Sequence, residues 1–434
     1  MSKIIYICFF FIIITNCSLN QNSKFWTTSQ DIKEEKNLNF KEIFATEDSL
    51  ASEFNSDLLI KLNSNINNNL TIRDYFNNDG RLNYDGELKK SSRYKFSKIE
   101  NFHEYEPTIS FNKKNFIFFD NKGSVMQFND KSKMIWKKNY YSKSEKKLKP
   151  IMQFANDGKA LIIADNIAKY YKLDLLNGNI IWSKKNLAPF NSQIKIYKDK
   201  FFIIDFSNTL RCFSIKNGKE LWNIKTENSL VRSQKKLSMV IVNDVIYFNN
   251  SIGDISAVDI KKGELLWQLP TQSSLIYEAA FSLETSDIIS DSTSLFFSNN
   301  KNQIFSIDLG SGSFNWENKV NSSLRPTLVG NYLFSISIEG YLVVIEKNNG
   351  NIIRVTDIFK NLKSKKRKEI KPVGFIMGLN NIYLSTNNGR IFVVDIVSGK
   401  TKYVLKIDNE KISRPIISGN NLFVVKDNAI IKLN

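Results

Sequence analysis

From Arg81 to the C-terminus, short segments of alternating apolar and polar residues are separated by clusters of Asn, Gly and Lys, the pattern of strands joined by hairpins. The clearest stretch is Phe248 to Trp267, where Ile255-Ser256-Ala257-Val258 leads through Asp259 and Gly263 to Leu265-Leu266-Trp267. Gly263 supplies the positive φ of a tight turn, and Asp259 is placed to accept hydrogen bonds from the turn backbone. A glycine followed four residues later by tryptophan recurs at Gly178 and Trp182, Gly218 and Trp222, Gly263 and Trp267, and Gly312 and Trp316. Gly350 with Arg354 and Gly399 with Tyr403 keep the spacing with other side chains, and Trp136 ends a further unit with Ser132 in the glycine position. Successive units lie 38 to 49 residues apart. That period fits one small antiparallel sheet per repeat and predicts an all-β propeller of four-stranded blades.

The recurring tryptophans are expected on outer strands, packed between neighbouring sheets. Each would bury on the order of 200 Å² there. Pro107, Pro150, Pro326, Pro372 and Pro415 each precede an apolar run and mark the opening of an innermost strand, where proline removes least from the ladder. Counting units gives seven, after which an eighth begins beyond Lys411 and stops at Asn434 without an outer strand. Arg93 to Ile99 has the alternation to supply it. Pairing that N-terminal strand with the C-terminal blade closes an eight-bladed ring over residues 81–434 and removes two open sheet edges.

The N-terminal region reads differently. Lys3 precedes an apolar run of eleven residues, Ile4 to Ile14, too short for the ~30 Å hydrocarbon core of a bilayer and typical of an export leader over residues 1–16. Residues 17–80 are Asn- and Ser-rich and read as a tether averaging about 40 Å end to end, with one weak helical pattern from Phe40 to Leu62. Of three cysteines, Cys8 lies in the leader and Cys17 at its end, so Cys212 is left alone and reads as a small buried residue, matching Ala257 in a sibling repeat. The formal charge is +18, of which the leader's Lys3 contributes one. This favours anionic partners, or reflects a composition rich in Lys, Asn and Ile throughout.

Two resemblances follow from these residues. Ile14-Thr15-Asn16-Cys17 resembles a bacterial lipobox, with Asn16 where a small residue is usual, and implies lipidation of Cys17; Ser18 after it implies sorting to the outer membrane. Ala257, Asp259, Gly263 and Trp267 match the repeat of quinoprotein-like propellers. Together with the leader, the tether and the ending Arg414 to Leu433, they make the chain similar to the BamB family of outer-membrane assembly lipoproteins. The resemblance implies eight blades, and the residues themselves, with one histidine and no metal-spaced cluster, lead us to expect no cofactor and no metal. It also implies a lipid-anchored monomer on the periplasmic face of the outer membrane, working within a multiprotein complex that aids insertion of nascent outer-membrane proteins. In that family a loop containing Leu and Arg contacts the periplasmic repeats of the barrel-assembly protein BamA, and Ser229-Leu230-Val231-Arg232 is similar, with one extra residue between Leu230 and Arg232.

Propeller topology places the blade-linking segments on one face. Three are basic: Lys143 to Lys149, Leu230 to Lys236, and Lys363 to Lys368. They are expected to share that face with Arg325 and Arg414, making Leu230, Val231, Arg232, Arg325 and Arg414 the candidate partner-binding residues. A periplasmic propeller for another envelope protein or a polysaccharide fits the same residues. A quinone-dependent dehydrogenase stands last: adjacent cysteines are absent, His103 is the one histidine, and no metal-spaced cluster, phosphate-cradling loop or Ser/His/Asp set is present. Export and the lack of a recognised module count against nucleic acid.

Overall fold

The glycine-to-tryptophan units fold as the outer hairpins of four-stranded antiparallel sheets. In a computed structural model, the structure describes residues 52–62, 77–104, 107–226, 235–271 and 283–434. These contain eight sheets of four strands, each ordered from inner to outer strand. Blade 1, for example, runs Ser110–Asn112, Asn115–Phe119, Ser124–Phe128 and Met134–Asn139. The inner strands of blades 1 to 5 contact one another in sequence, as expected of radial packing around a central channel. Pro150, Pro326 and Pro415 lie one or two residues before their inner strands, and Pro372 begins one.

Ring closure is by the N-terminal strand. Lys90–Lys95 pairs antiparallel with the last strand, Ala429–Leu433, and completes the eighth blade. The strand begins three residues earlier than the alternation of Arg93 to Ile99 indicates and ends at Lys95, with Phe96 and Ile99 donating to the Asn428 and Asp427 carbonyls of the adjacent turn. Phe423 of blade 8 packs against Phe111 and Phe116 of blade 1, so the closing seam is apolar.

Middle strands are buried on both faces, and outer strands only on alternate residues. Phe201–Ile204 is fully buried, whereas Glu220–Lys225 alternates between half-buried and exposed. In blades 1 to 7 the pairing of third and outer strands shifts register at one recurring place, immediately before the tryptophan or its substitute. The bulge leaves Ile135, Ile181, Leu221 and Leu266 exposed and turns the next side chain toward the neighbouring blade.

Candidate functional site

Each of the five tryptophans among the described residues belongs to two blades. Its indole covers the turn glycine of the next blade, and its Nε1 donates to the carbonyl one residue after the turn's capping position. Trp182 reaches Ile215 at 3.1 Å, Trp222 reaches Ile260 at 3.1 Å, Trp267 reaches Leu309 at 3.1 Å and Trp316 reaches Lys347 at 2.7 Å. Trp136 makes the same contact to Leu175 at 3.4 Å. The turns fit because Asp259 Oδ1 accepts from the Lys261 and Lys262 amides while Gly263 adopts φ +71°. A Cβ on Gly178, Gly218, Gly263 or Gly312 would lie 2.6 to 2.8 Å from the facing indole. These positions are the joints that hold the ring in shape.

Arg354 replaces tryptophan at the seam between blades 6 and 7. Its guanidinium is fully buried and donates to the Ile396 carbonyl at 3.1 Å, the acceptor an indole would use, and also to the Val397 carbonyl and to the Leu58 carbonyl at 3.0 Å. Burial pulls its pKa down to about 10, with Asp395 opposing the shift.

Leu58 lies in a strap. Residues 52–62 run along this seam, with Phe54 bridging to Val355, the Ile60 amide donating to Val397 at 3.0 Å, and Glu53 pairing with Lys360 at 2.6 Å. A second segment crosses the channel at the far ends of the inner strands. Asn77 bonds the Ile241 backbone, Asn78 the Leu328 backbone, and Leu82 the Met377 carbonyl. The expectation of a free tether through residue 80 is therefore corrected for residues 52–62 and 77–80, which join the folded body. The helix expected from Phe40 to Leu62 is corrected over 52–62, where the chain is held by backbone bonds to the rim. Cys17 lies outside the described residues.

Arg325 and Arg414, expected on an open docking face, line the channel instead. Arg414 Nη2 pairs with Asp79 at 2.6 Å and its Nε donates to the Phe375 carbonyl at 2.8 Å; Arg325 lies 3.6 Å from Asp79 and 3.7 Å from Asp287. The proline that follows each arginine opens an inner strand and so aims the side chain at the axis. Asp79, about 250 to 335 residues distant in sequence, carries no local signal of this pairing.

Other cations do gather on the blade-linking face. The channel mouth there is a cavity of about 670 Å³ whose lining includes Lys149, Lys235, Lys236 and Lys411 alongside Glu104 and Glu284. Nearby linkers form short helices, Lys143–Lys147 and Ser364–Glu369. Glu145 closes a capping box with Ser142; that backbone bond, with Lys185 and Lys169, holds its carboxyl down to about 2 against the opposing effect of burial. Thr226 and Lys235 flank the linker between blades 3 and 4, and Leu230, Val231 and Arg232 lie outside the described residues.

Among the described residues no group of three or more His, Cys, Asp or Glu side chains is placed to hold a metal ion. Burial pushes the Cys212 thiol up to about 12. It faces Trp222 across the strand pair, as Ala257 faces Trp267. The His103 ring is exposed, 3.5 Å from Glu104.

Comparison with known proteins agrees with this architecture. No curated protein matches the chain. Of solved structures, BamB from Moraxella catarrhalis superposes with a TM-score of 0.62 at 14% identity, covering 80% of this chain and 99% of that one. The quinohemoprotein alcohol dehydrogenase from Comamonas testosteroni superposes with a TM-score of 0.59 at 8% identity, covering 81% of this chain and 78% of that one. At such identities both show a shared fold alone. Residues 121–356, more than half of the sequence, match the family model described as outer membrane protein assembly factor BamB, and the chain belongs to that family.

Proposed function

We propose that this protein is a non-catalytic scaffold of the outer-membrane β-barrel assembly machinery, held to the membrane by lipid on Cys17 and docking on the periplasmic repeats of a BamA-type core protein. Membership of the BamB family carries the reading. The closed ring supports it, because a propeller whose indoles and turn glycines are spent on its own seams presents a stiff body with its linkers free for recognition. The linker between blades 3 and 4, with Leu230, Val231 and Arg232, is the proposed contact, flanked by the cations of the channel mouth. Arg325 and Arg414 support it indirectly by holding residues 77–82 in the channel. Replacing Leu230 and Arg232 together with alanine should weaken co-purification with the core protein at unchanged melting temperature. Undiminished co-purification would contradict the assigned contact, and recovery of a different envelope protein would favour a propeller serving another partner.

A further inference from the structure

The channel waist brings the cations of Lys236, Arg325 and Arg414 together with the carboxylates of Asp79 and Asp287. A cavity of about 170 Å³ lies between the crossing segment and the inner strands, lined by Asp79, Lys195, Lys236, Asp287, Arg325 and Arg414. Asp79 is taken up by Arg414 at 2.6 Å. Arg325 meets Asp79 and Asp287 only at 3.6 and 3.7 Å, and its buried Nε has no hydrogen-bond partner. A guanidinium carries five N–H donors, and leaving a buried one unmet costs free energy. Lys236 adds a second cation: its charge, with those of Arg325, Lys235 and Arg414, draws the Asp287 carboxyl below its ordinary range although burial pushes the other way. Gln153 and Lys236 line both this cavity and the wider mouth, so a solute can enter from the blade-linking face.

We infer that the waist binds a small, multiply charged oxyanion of phosphate type between Arg325 and Lys236. The planar fork of Arg325 suits two oxygens of such an ion, and Lys236 supplies a point charge beside it. Asp287 sets the affinity by competing for the same donors. This site does not depend on the docking role above.

The test is titration calorimetry on the mature chain with inorganic phosphate and, separately, glycerol phosphate, at ionic strength fixed with chloride. Saturable binding of inorganic phosphate alone points to the free ion, and binding of both to a phosphomonoester head group. Lys236→Ala should weaken binding about ten-fold, the scale of one charge-assisted hydrogen bond. Asp287→Asn should tighten it several-fold, which a purely structural ion cluster would not do. Heats no different from chloride, or affinities unmoved by both substitutions in variants with wild-type circular dichroism, would overturn the inference.

Discussion

The Tyr94 hydroxyl donates to the Asp130 carbonyl at 3.2 Å, joining the N-terminal strand of blade 8 to the outer turn of blade 1. Asp130 follows Asn129, whose side chain caps that turn through the Lys131 and Lys133 amides. Its carbonyl is therefore the equivalent of Leu175 or Ile215 in the other seams. Tyr94 thus does at the closure what the indoles do elsewhere, and Ser132, at φ +63°, stands for the glycine. Tyr94→Phe should cost about 1 kcal/mol, the net value of one hydrogen bond, and Tyr94→Ala about 3 to 5 kcal/mol through the lost contacts with Phe116 and Phe128. Denaturant unfolding measures both, and deletion of residues 82–99 should abolish cooperative melting.

The pairing of Trp267 with Gly312 is testable as a cycle. Trp267→Ala should cost about 3 to 5 kcal/mol. Gly312→Ala should be costly alone, because φ is +72° and the new Cβ would lie 2.6 Å from the indole. In the double variant the steric part disappears, so the combined loss should fall short of the sum.

Arg354 links a seam to the strap, and two replacements separate these roles. Arg354→Ala leaves the Leu58 and Ile396 carbonyls without their donor, takes from Val397 one of its two, the Ile60 amide remaining, and should cost about 3 kcal/mol. Arg354→Trp should restore an indole over Gly399 and keep the melting temperature nearer wild type, yet leave Leu58 unbonded. Hydrogen exchange at the Phe54 and Ile60 amides should quicken in both variants.

Acid sensitivity should reach the linker between blades 1 and 2. The Glu145 carboxyl is held at about 2 in the folded protein against an ordinary value of 4.5. Its ionised form therefore contributes full stability above about pH 4.5, and that contribution is lost as pH falls toward 2. Glu145→Gln should melt lower than wild type at neutral pH, with the two converging near pH 2 in a thermal-melt series.

How much of this was legible in the sequence depended on whether the forces involved leave a period. Gly263 and Trp267 repeat because every blade needs a turn of positive φ under an indole, so their spacing gave the sheets, and the truncated unit ending at Asn434 gave the closure. The exception Gly350 to Arg354 was visible as a break in the rule. Its cause was not, since Leu58 offers only a backbone carbonyl, and carbonyls have no sequence signature. Asn77, Asn78 and Asp79 likewise bind through amide and carboxylate groups in a stretch with no apolar rhythm, which is why the segment reads as linker. Arg325 and Arg414 were found as arginines before prolines, but a topological face did not say whether they pointed outward or into the channel.

Site-specific photo-crosslinking in native membranes tests the central claim most directly. A photoreactive residue in place of Lys366, exposed on the blade-linking face, should capture the barrel-assembly core protein through its periplasmic repeats, and one in place of Asn217, exposed in an outer-strand turn of the opposite face, should not. Capture of only an unrelated envelope protein from Lys366, or equal capture of the core protein from both positions, would contradict the account.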